Sequence, residues 1–295
     1  MAILTTSPCP LNYSKLHPCL ASSTTTSLIS THCHRPCLPP PAPPPPPFFS
    51  LSISSQLYNH QQTPPPITKE SPRTRIDKSF LDVSEATSET ELWAAACLRV
   101  RTFYDFQDQS FGIQDHKKYL AEREFEALKE RIAGTRLGFK RVSCINATLP
   151  FSQLASISDD LCNFCKFSNG EEDRVVVGTL DLNQCIRLPD EITGMKPKGI
   201  GADFARAYLS NVCVAKELHR NGLGSDLIAK AKLVAKDWGI SDLYIHVTFD
   251  NEAAKNLYIK SGFVRENEEP AWQARFLDRP RRLLLWTGLP ITYKL

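Results

Sequence analysis

Residues 208–225 constrain the fold of this 295-residue chain more tightly than any other stretch: Tyr-Leu-Ser-Asn-Val-Cys-Val-Ala-Lys-Glu-Leu-His-Arg-Asn-Gly-Leu-Gly-Ser. Residues 207–215 read as a strand. A turn follows, and from Leu223 to about Trp238 the residues Leu223, Leu227, Ile228, Ala231, Val234, Ala235 and Trp238 recur at helical spacing and can bury one face. Gly222 and Gly224 stand at the junction, where the lack of a Cβ lets the backbone approach a ligand closely. Successive N–H groups from Asn221 through Gly222, Leu223 and Gly224 to Ser225 would point outward from such a helix start. Those orphan donors and the helix dipole make an anion site, and Arg220 adds charge beside it. The chemistry suits a pyrophosphate. The pattern is not a Rossmann fingerprint, because a third spaced glycine and a downstream acid are missing. It is not a P-loop, because no Gly-Lys-Ser/Thr follows.

The rest of the body supplies an alternation of helices and strands around this unit. Residues 80–83 read as a short strand. Residues 89 to about 103 read as a helix with Leu92, Ala95, Ala96, Val100 and Phe103 on one face, and 116–133 as a second with Ala121, Phe125, Leu128 and Ile132 together. Residues 142–148 and 174–181 are expected strands. The polar segment 150–173 and the stretch 183 to about 204, with its lone Gly199-Ile-Gly201, are expected loops. After the central helix, residues 243–249 read as a strand and 251–261 as a helix capped by Asp250 or Asn251 and stopped by Gly262. Residues 271–287 look like two strands joined at Asp278-Arg-Pro280. The expected order is β-α-α-β-β-β-α-β-α-β-β.

The amino-terminal segment 1–70 has a different composition. Sixteen of the 22 prolines lie at or before Pro72, and positions 39–47 are proline except for Ala42. Proline removes backbone donors and fixes φ, so this stretch is not expected to build a fold. Residues 1–69 lack Asp and Glu, and Lys15, Arg35 and Lys69 are their strong cations. A Met-Ala start, a Ser/Thr load and the absence of acids suggest a plastid transit peptide, and a chloroplast destination, the stroma, follows. A disordered tail or a Pro-rich ligand segment is the alternative. The rest of the chain carries 32 basic residues (35 − 3) against 32 acidic ones, a balance that gives no bulk attraction for nucleic acid. No apolar run reaches membrane-helix length. Cys162 and Cys165 form a CxxC without a second pair or nearby His, so no metal site is expected.

Two motifs carry a family resemblance. His219-Arg-Asn-Gly-Leu-Gly224 resembles the acetyl-CoA motif of the GNAT N-acetyltransferases, Gln/Arg-x-x-Gly-x-Gly/Ala, with His219 departing at the first position. Asn251-Glu-Ala-Ala-Lys-Asn-Leu-Tyr-Ile-Lys-Ser-Gly-Phe263 resembles the second family motif, Asn-x-x-Ala…Tyr…Gly-Phe. The resemblance extends over residues 80 to about 289. It implies an α/β (α+β) GNAT fold, a mixed central sheet flanked by helices, in a domain at 78–295, with acetyl-CoA as co-substrate. It matches Val212, Cys213 and Val214 to the strand that pairs with the pantetheine arm, and Arg220 to Ser225 to the pyrophosphate cradle. Asn251, followed by Glu252 and Ala253, matches the cofactor contact at the next helix. Tyr258 matches the acid that protonates the leaving thiolate.

Amine attack on a thioester requires a base, a polarised carbonyl and a proton for the departing sulfur. The Val214 N–H can polarise the carbonyl. Tyr208 and His246 resemble a Tyr/His pair that deprotonates the amine in one branch of N-terminal acetyltransferases, while a partly buried strand histidine is the plainer reading of His246. Glu217 and Asp203 are outside candidates, and His116 and His219 read as surface residues. Cys213 is expected to be a strand residue rather than a nucleophile. A plastid transit peptide on such a body resembles the plant plastid acetyltransferases of N-terminal α-amines and lysines, and that resemblance implies protein or peptide amine substrates. Small-amine acetylation and a non-catalytic acetyl-CoA-binding module remain open, as does the oligomeric state.

Overall fold

In the computed structural model, residues 75–106, 112–136, 138–154, 157–170, 172–185 and 205–290 are described. The segment read as a transit peptide, Asp203 and the Gly199-Ile-Gly201 stretch lie outside them. The strands are β1 (Asp82–Glu85), β2 (Phe139–Pro150), β3 (Lys166–Asn169), β4 (Glu172–Cys185), β5 (Arg206–Val214), β6 (Asp242–Thr248), β7 (Val264–Glu268) and β8 (Arg282–Gly288). They form one mixed sheet in the order β1-β2-β4-β5-β6-β8-β7, with β3 pairing β4 in a hairpin. β5 and β6 run parallel and every other pair is antiparallel. The helices are α1 (Glu89–Phe103), α2 (Ile113–Ile132), α3 (Asp159–Phe164), α4 (Leu223–Asp237), α5 (Glu252–Lys260) and α6 (Ala271–Phe276).

Helix α4 buries the apolar stripe that its sequence announces: Leu223, Leu227, Ile228, Ala231, Val234 and Ala235. Helix α1 is buried on more than the expected face, since Ala94, Cys97, Leu98 and Arg99 are covered as well as Leu92 and Val100. It begins at Ser88, whose hydroxyl accepts the Glu91 N–H at 3.2 Å. On α2, Ala121 and Leu128 are buried, but Ile132 is exposed at the carboxyl end.

Two expected stretches differ. Residues 150–173 are not a plain loop. They hold a 3-10 turn, α3 and β3, and they bury Leu154, Leu161, Cys162, Cys165 and Phe167 in the core. Their apolar residues are too irregularly spaced to show a period, yet the chain folds back and caps the sheet beside α1. The tail is not two strands over 271–287. Its first strand is β7, whose Val-Arg-Glu-Asn-Glu lacks a hydrophobic signal because it forms the sheet edge, where charges protect unpaired backbone. Helix α6 lies in the interval, and β8 buries Leu283, Leu284 and Leu285.

Candidate active site

The site arises where β5 and β6 part. Residues 206–209 pair with 242–245, and the parallel ladder ends there. β5 continues beside β4 to Val214, and β6 continues beside β8 to Thr248. The edge of β5 that faced β6 is thereby left without a ladder over 210–214. The Ala215 N–H donates to the Val177 carbonyl at 2.8 Å, so by strand alternation the Val214 N–H points the other way, into the gap. β5 also carries one more residue than β4 between the pairs Ser210–Asp181 and Cys213–Thr179. That bulge holds Asn211 at φ 54°.

The strand then enters a tight turn. Arg220 and Gly222 both take positive φ, 68° and 82°, and Gly222 caps α4 without any side-chain cap. The Ser225 N–H already donates to the Gly222 carbonyl at 2.9 Å, which removes it from the expected cradle. The outward donors left among the described residues are the N–H groups of Gly222, Leu223 and Gly224. The Asn221 side chain is spent on the turn: Oδ1 accepts the Ile76 N–H at 3.3 Å and Nδ2 donates to the Leu218 carbonyl at 3.1 Å. A Cβ on Gly224 would stand 2.8 Å from Leu257 of α5, so this glycine permits the approach of two helices rather than of a ligand. Arg220 is exposed at the turn. A residue that sequence reasoning missed, Lys78, pairs with Asp226 at 2.7 Å and brings its ammonium within 3.0 Å of where a Gly222 Cβ would be.

The reacting side chains expected from sequence converge. Side chains alternate along β5, so Tyr208 shares the face of Ser210, opposite which Asp181 meets Arg99 of α1. On that face Tyr208 Oη lies 3.1 Å from His246 Nδ1, with the rings 5.7 Å apart. Tyr258 is 1% exposed and packs edge-on against Phe263. Burial above all, then the neighbouring Tyr208 and Cys213, raise its phenol well above the ordinary range, so it stays protonated. Burial pushes the Cys213 thiol up to about 12, which leaves it an inert thiol in the strand.

The other candidates have partners within the chain or stand at its surface. Burial alone would raise Glu217, but the hydrogen bonds and charge of Arg101 hold its carboxyl below the usual range, so it is locked in an ion pair rather than poised as a base. Asn251 caps α5, its Oδ1 accepting the Ala254 N–H at 3.0 Å. Glu252 is exposed and paired with Lys255, and Ala253 is half-buried behind it. His219 is not a surface residue: it is half-buried and its Nε2 contacts the Val214 carbonyl at 3.1 Å, bracing the end of β5. His116 is exposed against Phe106. Cys162 and Cys165 are buried, free thiols raised by burial. Among the described residues no three His, Cys, Asp or Glu side chains converge on a metal site, and no helix is long and apolar enough to cross a membrane. A cavity of about 450 Å³ opens at the end of α1, lined by Arg101, Tyr104, Phe106, Phe164 and Glu217 among others. Tyr208, His246 and Tyr258 do not line it.

Residues 143–263 match the model of the Acetyltransferase (GNAT) family. The chain is 71% identical to GCN5-related N-acetyltransferase 7, chloroplastic, of Arabidopsis thaliana, over 73% of this chain and 78% of that protein. It is 30% identical to GCN5-related N-acetyltransferase 6, chloroplastic, of the same plant, over 61% of this chain and 60% of that protein. Among solved structures it aligns with an acetyltransferase of the GNAT family from Streptococcus pneumoniae at 19% identity and a TM-score of 0.39, over 71% of this chain and 99% of that one. The chain belongs to the GCN5-related N-acetyltransferase (GNAT) family.

Proposed function

We propose that this chain transfers the acetyl group of acetyl-CoA to protein amines, N-terminal α-amines, lysine ε-amines or both, in the chloroplast. The observation that carries the proposal is the 3.1 Å contact between Tyr208 Oη and His246 Nδ1 beside the gap between β5 and β6. An amine is protonated near neutral pH and attacks only after that proton leaves. Tyr208 Oη can accept it while passing its own proton to His246 Nδ1, so the charge ends on the imidazole.

The residues present fit the co-substrate. The Gly222, Leu223 and Gly224 N–H groups would hold the pyrophosphate at the dipole of α4, with Arg220 and Lys78 adding positive charge. The unladdered edge of β5 at Val212, Cys213 and Val214 would take the pantetheine arm. Bound acetyl-CoA supplies a thioester, whose carbonyl carbon is electrophilic toward a neutral amine. The Val214 N–H would donate to the acyl oxygen, a donor fixed before reaction. Tyr258 holds its proton at Oη for the departing sulfur, and its raised phenol ensures that the proton is there at neutral pH. No nucleophile of the chain is needed, in keeping with the inert Cys213.

The resemblance to plastid acetyltransferases of protein amines supports the substrate class. The chloroplastic name of the Arabidopsis relative and the acid-free first 69 residues support the compartment. The test supplies the full chain with acetyl-CoA and three acceptors: peptides with free α-amines, peptides with blocked amino termini and internal lysines, and small amines. Mass spectrometry should find acetylated peptides, and the ratio of α- to ε-products sets the preference. Products from small amines alone, or CoA binding without any product, would overturn the proposal.

A further inference from the structure

Arg99, Glu124, Arg131, Asp181 and Asn211 form a charged cluster in the core behind β5. Asp181 is fully buried and Arg99 is 1% exposed. Arg99 grips the carboxylate with both terminal nitrogens, Nη2 to Oδ1 at 2.6 Å and Nη1 to Oδ2 at 3.1 Å. Arg131 of α2 adds Nη1 to Oδ2 at 3.1 Å. Arg99 also donates to Glu124 at 3.0 Å and to the Thr179 hydroxyl at 3.2 Å. Buried ion pairs contribute little net stability compared with well-packed apolar residues of the same size, because desolvation offsets their attraction. Stability alone therefore gives this cluster no purpose.

The last ligand of the carboxylate supplies one. Asn211 Nδ2 donates to Asp181 Oδ2 at 2.8 Å. Asn211 is the extra residue of the β5 bulge, and among the described strand residues other than glycine it alone has positive φ. Asparagine tolerates that conformation better than most residues, but nothing in its backbone requires it. On the β6 side the ladder has already ended at Leu209, so sheet pairing cannot hold the bulge from there. The group that meets it from behind is a carboxylate held by two arginines.

We propose that Asp181, clamped by Arg99 and Arg131, is a positioning residue for acyl transfer: by accepting the Asn211 side chain it holds the left-handed bulge that aims the N–H groups following it, at Val212 and Val214, into the gap. The inference rests on the reading of that gap as the thioester site. It makes α1 and α2 part of the catalytic apparatus although neither supplies a group to the gap in this scheme. It also explains an arginine in the buried middle of a helix.

Asn211→Gly tests it without leaving a buried charge unpaired, since glycine accepts positive φ but cannot reach Asp181. In the full chain without ligand, hydrogen–deuterium exchange at the 212–214 amides should rise about 10-fold or more over wild type. CoA affinity, measured by calorimetry, should fall less than about 5-fold, because only the pantetheine edge loosens while the α4 turn is untouched. The kcat should fall about 10- to 100-fold with little change in KM for acetyl-CoA, the pattern for a lost interaction with the reacting group. Unchanged exchange would overturn the proposal, as would raised exchange with wild-type kcat. Asn211→Ala, which also disfavours the left-handed backbone, should give a larger drop in kcat, and a smaller one would count against the idea. If wild-type protein failed to bind CoA, the functional reading would fall by itself, and the exchange comparison would still decide whether Asp181 holds the bulge.

Discussion

Two strand–turn–helix units lie side by side in this acetyltransferase, β5 into α4 and β6 into α5, and they close their helix starts in opposite ways. β6 is paired with β8 through Thr248, and α5 begins at Asn251, whose own side chain accepts the Ala254 N–H. β5 loses its β6 ladder after Leu209, carries a bulge, and enters α4 at Gly222 with no capping side chain. The closed unit satisfies two of its first donors internally, the Glu252 N–H on the Asp250 carbonyl at 3.0 Å and the Ala254 N–H on Asn251. The open unit has no capping side chain for its backbone donors, and that asymmetry is what the proposed pyrophosphate cradle requires. In the proposed scheme the closed unit still contributes one reacting group, Tyr258, nearly two turns beyond its Asn251 cap.

The sharpest way to separate the two contributions is Tyr258→Phe. A lost general acid should lower kcat about 100- to 10,000-fold, with CoA affinity unchanged by calorimetry. Full turnover would remove Tyr258 from the chemistry. Because burial raises its phenol, loss of the Tyr258 proton should not set an alkaline limb near neutral pH in the wild-type rate profile.

Asp181→Asn attacks the open unit from beneath. Leaving Arg99 and Arg131 without their carboxylate should cost about 3–5 kcal/mol in denaturant unfolding near neutral pH. Burial by itself would raise the Asp181 carboxyl, but the charges of Arg99 and Arg131 and the hydrogen bonds of Arg99 and Asn211 hold it below its usual 3.8. A depressed folded value means that its contribution is fully present above the ordinary range and disappears as pH falls through the lower, folded value. The variant should therefore show a flatter acid limb of stability than wild type. An equally steep limb would assign acid unfolding to other carboxylates.

Gly222→Trp fills the open cap, where φ is 82° and Lys78 stands close. CoA affinity should fall about 100-fold, roughly 2.7 kcal/mol, and unchanged affinity would refute the phosphate cradle. Gly224→Ala instead tests the contact between the units. Its new Cβ meets Leu257, so overpacking should cost about 1–3 kcal/mol, partly restored by Leu257→Ala. Absence of rescue would mean that the two helix starts are not coupled through this contact. The smallest effect belongs to the closed unit. Asn251→Ala should cost about 1 kcal/mol of stability and lower CoA affinity far less than Gly222→Trp does. An equal loss of affinity would make α5 a cofactor cradle too.

The legible parts of the site were local. The glycine turn, the stripe on α4 and the Asn251 cap each depend on residues within a few positions of one another. Tyr208 and His246 were paired only by resemblance, since 38 residues separate them and the parallel register of β5 and β6 brings them together. The helix and strand at 159–169 were not visible because a six-residue helix and a four-residue strand are too short to display a period. Lys78 carried no signal at all, because its position over Gly222 is set by a contact 148 residues along the chain.

By itself the sequence placed the glycine turn at 220–225, the apolar stripe of α4 and, through its resemblance to the GNAT family, the class of fold, because motif residues and short-range spacing suffice for these. The tertiary structure alone decided that β5 parts from β6 after Leu209, that Asn211 takes a left-handed backbone, and that a buried Asp181 between two arginines stands behind it. A bulge is a mismatch between two strands, and a buried ion cluster is an agreement among four elements. Neither exists until segments distant in the chain are packed against one another.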